Sequence, residues 1–466
     1  MALVRSEHPR SFQQPLPLGE RAFVVIHQRG GPLGYSPPTM ATRTFVDLFA
    51  GAGGISEGFR QSGWKPIAGT DFDPDACATY RRNFPEAVTL WGDLREPSLH
   101  HDLVQAAEAV DVVAGGPPCQ GFSQVRNHVR LIDDPKNRLY REFVRLVTRL
   151  EPKAFVMENV PGMAQMGVLQ QVEADLACGG RYRVHPMVLD AADFGVPQTR
   201  KRIVFIGFHR DLGQAPPHLV GTGASAAISL GRALADDQRS VRYSPEIDGA
   251  GDLLEWLADP WDLRAVTVEQ ALADLADLTP SGYGLDRRVV GEVFTEPQSA
   301  YQKTMRAGLD DVIENVAVPR INADTRARLK TIPPGGNYLD LPEHLRARYI
   351  TGLRWGQDNG SGVLSRKHFY AYRRLHPSIW SWTLNTKADS VYHWRAERSL
   401  SVREFARLQS FPDHYVITTD ERKGDLLGRI SGGAAHSRYR QVGNAVPPLL
   451  ARAVATAIDE VLGTRA

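Results

Sequence analysis

Over the first half of the chain, short apolar runs alternate with stretches of helical periodicity, which predicts a mainly parallel sheet flanked by helices. Phe45 to Phe49 reads as the first strand and Gly53 to Gln61 as the helix after it. Pro66 to Thr70 is the second strand; Asp73 and Pro74 then supply an N-cap and a first-turn proline for a helix through Asn83. Val88 to Trp91 and Val110 to Ala114 follow, the latter (VDVVA) apolar and β-branched as buried parallel strands are. From Asn137 to Leu150, the residues Leu139, Phe143, Leu146, Val147 and Leu150 share one helical stripe, and Phe155 to Met157 and Arg202 to Phe208 complete the predicted strands.

After Phe208 the alternation gives way to roughly 190 residues punctuated by Pro and Gly, without an internal repeat. That is too long for a loop within a compact domain, so a second, smaller domain is expected. Ser401 and Glu404 form a capping box for a helix through Gln409. A last helix opens at Pro447-Pro448, carries Leu450, Val454, Ile458 and Val461 as its apolar stripe, and ends at Gly463. Residues 1 to about 39 are rich in Pro, Gly and Gln, with strand character only at Phe23 to Ile26; a poorly ordered extension is expected, with Met40 as the natural start.

Composition narrows the classes. A chain of 466 residues suffices for two sizeable cores. With 55 Lys+Arg against 53 Asp+Glu the net charge is +2, so any nucleic-acid surface is a local patch. Three widely spaced cysteines, Cys77, Cys119 and Cys178, argue against a disulfide framework or a CxxC zinc site and fit a reducing compartment. No apolar run approaches 18 residues, and the N-terminus lacks the basic start and apolar stretch of a secretory signal, so no membrane association is expected.

The densest chemical signal is GGPPCQGFS, Gly115 to Ser123. Gly115 and Gly116 permit a sharp turn, and Pro117 and Pro118 rule out a continuing central strand. Cys119 therefore lies at a strand's carboxyl end, where open α/β sheets bind ligands. A lone cysteine is ordinarily a buried structural one; the surrounding motifs reverse that reading. FVDLFAGAGG, Phe45 to Gly54, puts glycines between strand and helix, with Asp71 about 20 residues on, where a ribose-binding carboxylate belongs. By itself this fits half of a dinucleotide fingerprint equally well, although Ser56 stands at the third glycine position; Asp71 and Asp93 alone read as loop or cap residues.

These segments, followed by ENV (Glu158 to Val160), QTRKR (Gln198 to Arg202), SVREFARLQSFPD (Ser401 to Asp413) and QVGNAVPP (Gln441 to Pro448), stand in the order of the DNA (cytosine-5) methyltransferase motifs. The chain resembles that family over roughly 400 residues. The resemblance implies an α/β fold: a Rossmann-like S-adenosylmethionine-dependent methyltransferase domain with a smaller target-recognition domain. The implied limits are an extension over 1–39, a catalytic domain over 40–208, a recognition domain over 209–424 and a return to the catalytic domain over 425–466.

It further implies that Phe49, Gly51, Gly53, Gly54, Asp71, Phe72, Asp93 and Asn444 hold S-adenosylmethionine. Phe49 would lie against the adenine, Asp71 on the ribose hydroxyls, Asp93 on the adenine amine and Asn444 at the methionine end. Cytosine C5 is too weak a nucleophile to accept a methyl group from a sulfonium, and a thiolate adding at C6 supplies the missing electron density. Cys119 matches the family's nucleophile, Glu158 its contact to N3 and the exocyclic amine, and Arg202 its contact to O2, with Arg200 anchoring the site through salt bridges.

A stacked base must be flipped out to be reached. Gln120 to Pro135 matches the loop that closes over it, with Gln120, Ser123 and Arg126 toward DNA. Arg366, Lys367, Arg373 and Arg374, interleaved with His368, Phe369 and Tyr370, read as phosphate or base contacts, although such runs are more often plain solvated faces. IPPGGNYLDLP (Ile332 to Pro342) and RRLHPSIWSWTLNT (Arg373 to Thr386) resemble the ends of the recognition domain, and Trp380 and Trp382 depart from the smaller residues expected there. The implied partners are double-stranded DNA and a cognate restriction endonuclease, for a monomeric enzyme of the bacterial cytoplasm; an orphan regulatory role is also compatible. The tRNA-directed branch of the family has a much shorter recognition segment. A NAD-linked oxidoreductase leaves PPCQ, ENV and QTRKR unexplained, and a catalytically silent DNA-binding protein is at odds with intact Cys119, Glu158 and Arg202.

Overall fold

The apolar runs form one seven-stranded sheet in the order Val88–Trp91, Lys65–Asp71, Thr44–Leu48, Val112–Gly115, Ala154–Asn159, Lys201–His209, Tyr182–Asp190. The computed structural model describes residues 23–24, 43–118, 138–165, 168–225, 265–275, 277–279, 286–345, 372–420 and 433–463. Strands β1 (Thr44–Leu48), β2 (Lys65–Asp71), β3 (Val88–Trp91), β4 (Val112–Gly115) and β5 (Ala154–Asn159) are parallel. The last two, β6 (Tyr182–Asp190) and β7 (Lys201–His209), run antiparallel, β7 lying between β5 and β6. The strand order reverses at β1 and β4, so a crevice opens beyond their carboxyl ends.

Alternation along each strand builds two cores, one per face. On β4, Val112 and Ala114 join Phe45, Phe59 and Ile206 on one face, while Val113 joins Val46, Phe143, Phe155 and Phe205 on the other. The helices α1 (Gly54–Gln61), α2 (Pro74–Asn83), α3 (Pro97–Ala106), α4 (Arg138–Leu150) and α5 (Leu169–Leu176) connect the strands. The Asp73 carboxylate caps α2 through the Asp75 N–H at 3.1 Å, as the sequence predicts.

Three elements escape the periodicity argument. In α3 only Leu99 and Leu103 are buried, and in α5 only Val172 and Leu176, too few for a stripe. β6 reads YRVHPMVLD, and as an edge strand it tolerates Pro186 and polar positions that a central strand would not.

Beyond β7 the chain forms α6 (Val268–Leu272), an antiparallel pair of β8 (Arg287–Val289) and β9 (Val312–Glu314) with α7 (Ala300–Met305) in the connection between them, and α8 (Ala323–Thr331). Three helices follow: α9 (Val402–Leu408), α10 (Gly433–Asn444) and α11 (Pro448–Leu462). The capping box of α9 forms, and Arg398 extends it with two 2.8 Å bonds to Glu404. Tyr301, Met305, Trp380, Trp382, Leu384 and Phe405 join the same apolar cluster as Phe45 and Phe59, so part of this segment packs directly on the sheet domain. Two smaller clusters, around Leu329 and Tyr338 and around Leu275 and Ile313, stand apart. Phe23–Val24 pairs in parallel with His218–Leu219; Met40 lies outside the described residues.

The last helix, α11, returns to pack on α1. An added Cβ at Gly58 would fall 2.5 Å from Ala451 Cβ and 2.6 Å from the Arg452 backbone nitrogen, so no side chain fits there. Gly58→Ala is expected to cost about 3 kcal/mol by forcing two backbones apart. A fall in the urea midpoint with an unchanged slope would read this out, and an unchanged midpoint would contradict the packing.

Candidate active site

Two neighbouring groups of side chains occupy the carboxyl ends of the parallel strands. The first lies beyond β1, β2 and β3. Phe49 leaves β1 at φ +58°, and the following N–H, of Ala50, donates to Thr70 O at 2.9 Å, holding the turn against β2. Gly51 and Gly53 both have positive φ, for different reasons. A Cβ on Gly53 would fall 2.6 Å from the Tyr415 hydroxyl, whereas one on Gly51 would meet nothing within 4 Å, leaving open space over the backbone. Gly54 begins α1 against the Val446 carbonyl, which brings the helix start to the turn after exposed Asn444. Beneath, Asp47 Oδ2 accepts from the Ser56 hydroxyl at 2.7 Å and its N–H at 3.2 Å, and burial pushes its carboxyl up to about 7.

Asp71, at the end of β2, accepts from the N–H groups of Gly51 and Asp73, each at 2.8 Å. Burial raises its carboxyl above the ordinary range, against the lowering effect of those two bonds. Phe72 follows, 72% exposed, and its carbonyl accepts from Trp91 Nε1 at 3.0 Å. Phe72 is the most exposed of the large apolar side chains among the described residues. Asp93 stands just past β3, paired with Arg95.

The second group lies beyond β4, β5 and β7. Glu158 Oε1 is 2.7 Å from Arg202 Nε, both side chains nearly buried. Gly116 faces this pair, since a Cβ there would sit 3.1 Å from Glu158 Oε2. Asn159 Nδ2 donates to Pro117 O at 2.9 Å and Asn159 Oδ1 accepts from Val160 N at 2.8 Å, pinning the Pro117 turn to the end of β5. The sequence motif ENV hides this role: Asn159 orients the backbone leading to Cys119 and is itself buried. Cys119, Gln120, Ser123 and Arg126 lie outside the described residues. Of the other two cysteines, both buried, Cys77 has its thiol pushed up to about 12 by burial.

Arg200 departs from its expected salt-bridging role. Its guanidinium is fully buried and donates to carbonyl oxygens, Gly443 O at 2.8 Å and Leu384 O at 3.3 Å. Burial holds its pKa well below the ordinary arginine value, with the Arg202 charge adding to the effect. Gln198 and Thr199 extend the same junction: Gln198 Oε1 accepts from Leu384 N at 2.9 Å, and Thr199 N donates to Ser381 O at 2.9 Å. QTR thus ties β7 to the segment returning from the second half of the chain, while Arg202 alone of the two arginines faces Glu158.

The cationic run reads differently in three dimensions. Arg374 is buried and donates to Leu329 O (2.9 Å), Ile332 O (2.7 Å) and His393 O (3.3 Å), with Nη2 3.9 Å from Glu397, so it satisfies carbonyls at the end of α8 and pairs with a carboxylate. Arg373 is buried with its guanidinium 5.4 Å from the Trp382 ring. The expectation of DNA contacts at these two positions is corrected by burial: a planar guanidinium suits stacked and carbonyl-rich interiors as well as phosphates. Arg366 and Lys367 lie outside the described residues. Trp380 and Trp382 are core side chains, so their departure from the expected pattern repacks the interior.

Among the described residues, no cluster of His, Cys, Asp and Glu is arranged to hold a metal ion, and no helix is long and apolar enough to cross a membrane. The family model of the C-5 cytosine-specific DNA methylases matches residues 43–460. The type II methyltransferase M1.HphI of Haemophilus parahaemolyticus is 32% identical over 424 residues, covering 89% of this chain and 86% of that protein. The type II methyltransferase M.AgeI of Thalassovita gelatinovora is 31% identical, covering 89% and 98%. A crystal structure described as a DNA modification methyltransferase encoded within an E. coli prophage superposes with a TM-score of 0.61 at 22% identity, covering 90% of this chain and 99% of that one, which supports the fold. With the motif order, the sheet topology and the Glu158–Arg202 pair facing Gly116 all in agreement, the chain belongs to the C-5 cytosine-specific DNA methylase family and is a DNA (cytosine-5-)-methyltransferase.

Proposed function

We propose that this enzyme transfers a methyl group from S-adenosylmethionine to C5 of a flipped-out cytosine in a specific double-stranded DNA sequence, through a covalent bond between Cys119 and C6. The observation that carries the reading is the Glu158–Arg202 pair, 2.7 Å apart and facing the Gly116 turn that leads to Cys119. Attack of the Cys119 thiolate on C6 moves electron density toward N3 and O2 and makes C5 enamine-like. Glu158 in its protonated form hydrogen-bonds N3 and passes it the proton, becoming the carboxylate that pairs with Arg202, while Arg202 also stabilises the negative charge that reaches O2. Release of Cys119 then requires loss of the C5 proton to a base.

The residues beyond β1 to β3 fit the cofactor: open space over Gly51, an exposed ring at Phe72, and carboxylates at Asp71 and Asp93 for ribose and adenine. Phe49, Gly53, Gly54 and Asn444 complete the cradle. When bound, the cofactor supplies an electrophilic methyl group on a sulfonium. Residues 209–424 supply the recognition surface and Gln120 to Pro135 the closing loop over the flipped base. Its relatives carry the name type II methyltransferase, which supports a role as the modification enzyme of a restriction–modification pair.

Expression in a host devoid of cytosine methylation, followed by bisulfite sequencing of its genome, tests the reading. Protected cytosines confined to one short sequence are expected. Folded protein that binds cofactor yet leaves no cytosine protected would point to an RNA substrate.

A further inference from the structure

Asp93 is held more firmly than its place on a turn requires. Arg95, two residues on, donates its backbone N–H to Asp93 Oδ1 at 2.9 Å. Its Nε lies 2.9 Å from Oδ1 and 3.0 Å from Oδ2, and its Nη2 bonds Oδ2 as well. A guanidinium fork on a carboxylate fixes a plane as well as a charge. The three donors of Arg95 make four contacts, two on each oxygen, and because the single Nε hydrogen is shared between the two oxygens the carboxylate keeps acceptor capacity for one further donor. Arg95 forms the solvent side of the pair, its side chain 56% exposed against 19% for Asp93. The neighbouring β3 residue, Trp91, bonds the Phe72 carbonyl, and Gly92 N donates to Asp71 O at 3.1 Å, so the turn that carries Asp93 is tied to the backbone of Asp71 and Phe72.

We infer that Arg95 is a positioning residue for the cofactor: it orients the Asp93 carboxylate as a rigid acceptor for the exocyclic amine of the adenine. This rests on the cofactor reading proposed above and adds to it a residue outside the family motifs. The Arg95 side-chain bond also holds the Asp93 carboxyl below the ordinary range, against the opposing effect of burial. Glu142 on α4 is the other charged group felt at Arg95.

Calorimetric titration with S-adenosylhomocysteine and with its deaminated counterpart, S-inosylhomocysteine, tests this without turnover. The parent protein is expected to prefer the adenosyl ligand, and Asp93→Ala to lose that preference. Arg95→Ala should weaken S-adenosylhomocysteine about five- to tenfold while leaving the inosyl ligand within about twofold, since the lost order concerns one hydrogen bond to the amine. Arg95→Lys, which keeps the charge but not the fork, should fall between. Equal weakening of both ligands would make Arg95 merely structural, and unchanged or tighter binding would show that it plays no part or competes with the adenine. Each overturns the inference while the cofactor reading stands. A parent protein that binds neither ligand, or does not distinguish them, would overturn the reading of the pocket itself and the role of Arg95 with it.

Discussion

Cys119→Ser is expected to lower methyl transfer by at least about a thousandfold while leaving the binding of DNA and cofactor nearly intact. The alcohol oxygen is a far weaker nucleophile than a thiolate at neutral pH, so C6 is not attacked and C5 stays unactivated. The change removes one sulfur from a turn whose approach is set elsewhere, by Asn159 bonding Pro117 O and by the fixed angles of Pro117 and Pro118. A duplex with 5-fluorocytosine at the target separates the steps, because fluorine at C5 cannot leave as a proton. The parent chain should form a complex with it that survives denaturation, and the serine variant should not. Retained turnover would remove Cys119 from the role of nucleophile.

Glu158→Gln is expected to cost about a hundredfold or more in rate, with cofactor affinity unchanged. Glutamine keeps the shape and the hydrogen bond but has no proton to give to N3. It also leaves the Arg202 guanidinium, now 2.7 Å from a carboxylate oxygen, facing a neutral amide. The loss should therefore appear in single-turnover rates more than in DNA affinity. A near-normal rate would mean that N3 is protonated from elsewhere.

Much of the fold is legible in the chain because its inner strands are buried on both faces and therefore read as apolar runs. β1, β2, β4, β5 and β7 lie where hydrophobic periodicity puts them, edge strand β3 is read from its short β-branched and aromatic run although it is half-exposed, and the caps at Asp73 and Ser401 and the first-turn Pro448 mark helix starts. Edge strand β6 and helices α3 and α5 are silent, since an element covered on one side needs only a few apolar residues.

The arginines show the limit most sharply. Arg200 and Arg202 are two residues apart on one strand edge, yet one is buried on carbonyls of Gly443 and Leu384 and the other meets Glu158. Arg374 looks like a phosphate contact and closes a helix end. A guanidinium carries the same letter in all three settings, and only the partners that folding brings to it settle which it is. The Asp93–Arg95 pair was within reach of sequence reasoning by its spacing alone, but nothing in the spacing distinguishes a bidentate clamp from two solvated side chains.

The sequence by itself determined the family, the parallel sheet and the residue types of the chemistry, because those rest on local constraints: turn glycines and prolines, strand periodicity and ordered motifs. Only the tertiary structure decided which charged groups are partners and which are packing. That depends on segments hundreds of residues apart, such as Gly54 against Val446 and Arg200 against Gly443, converging on one crevice, where burial removes water and leaves each polar group to the neighbours the fold supplies.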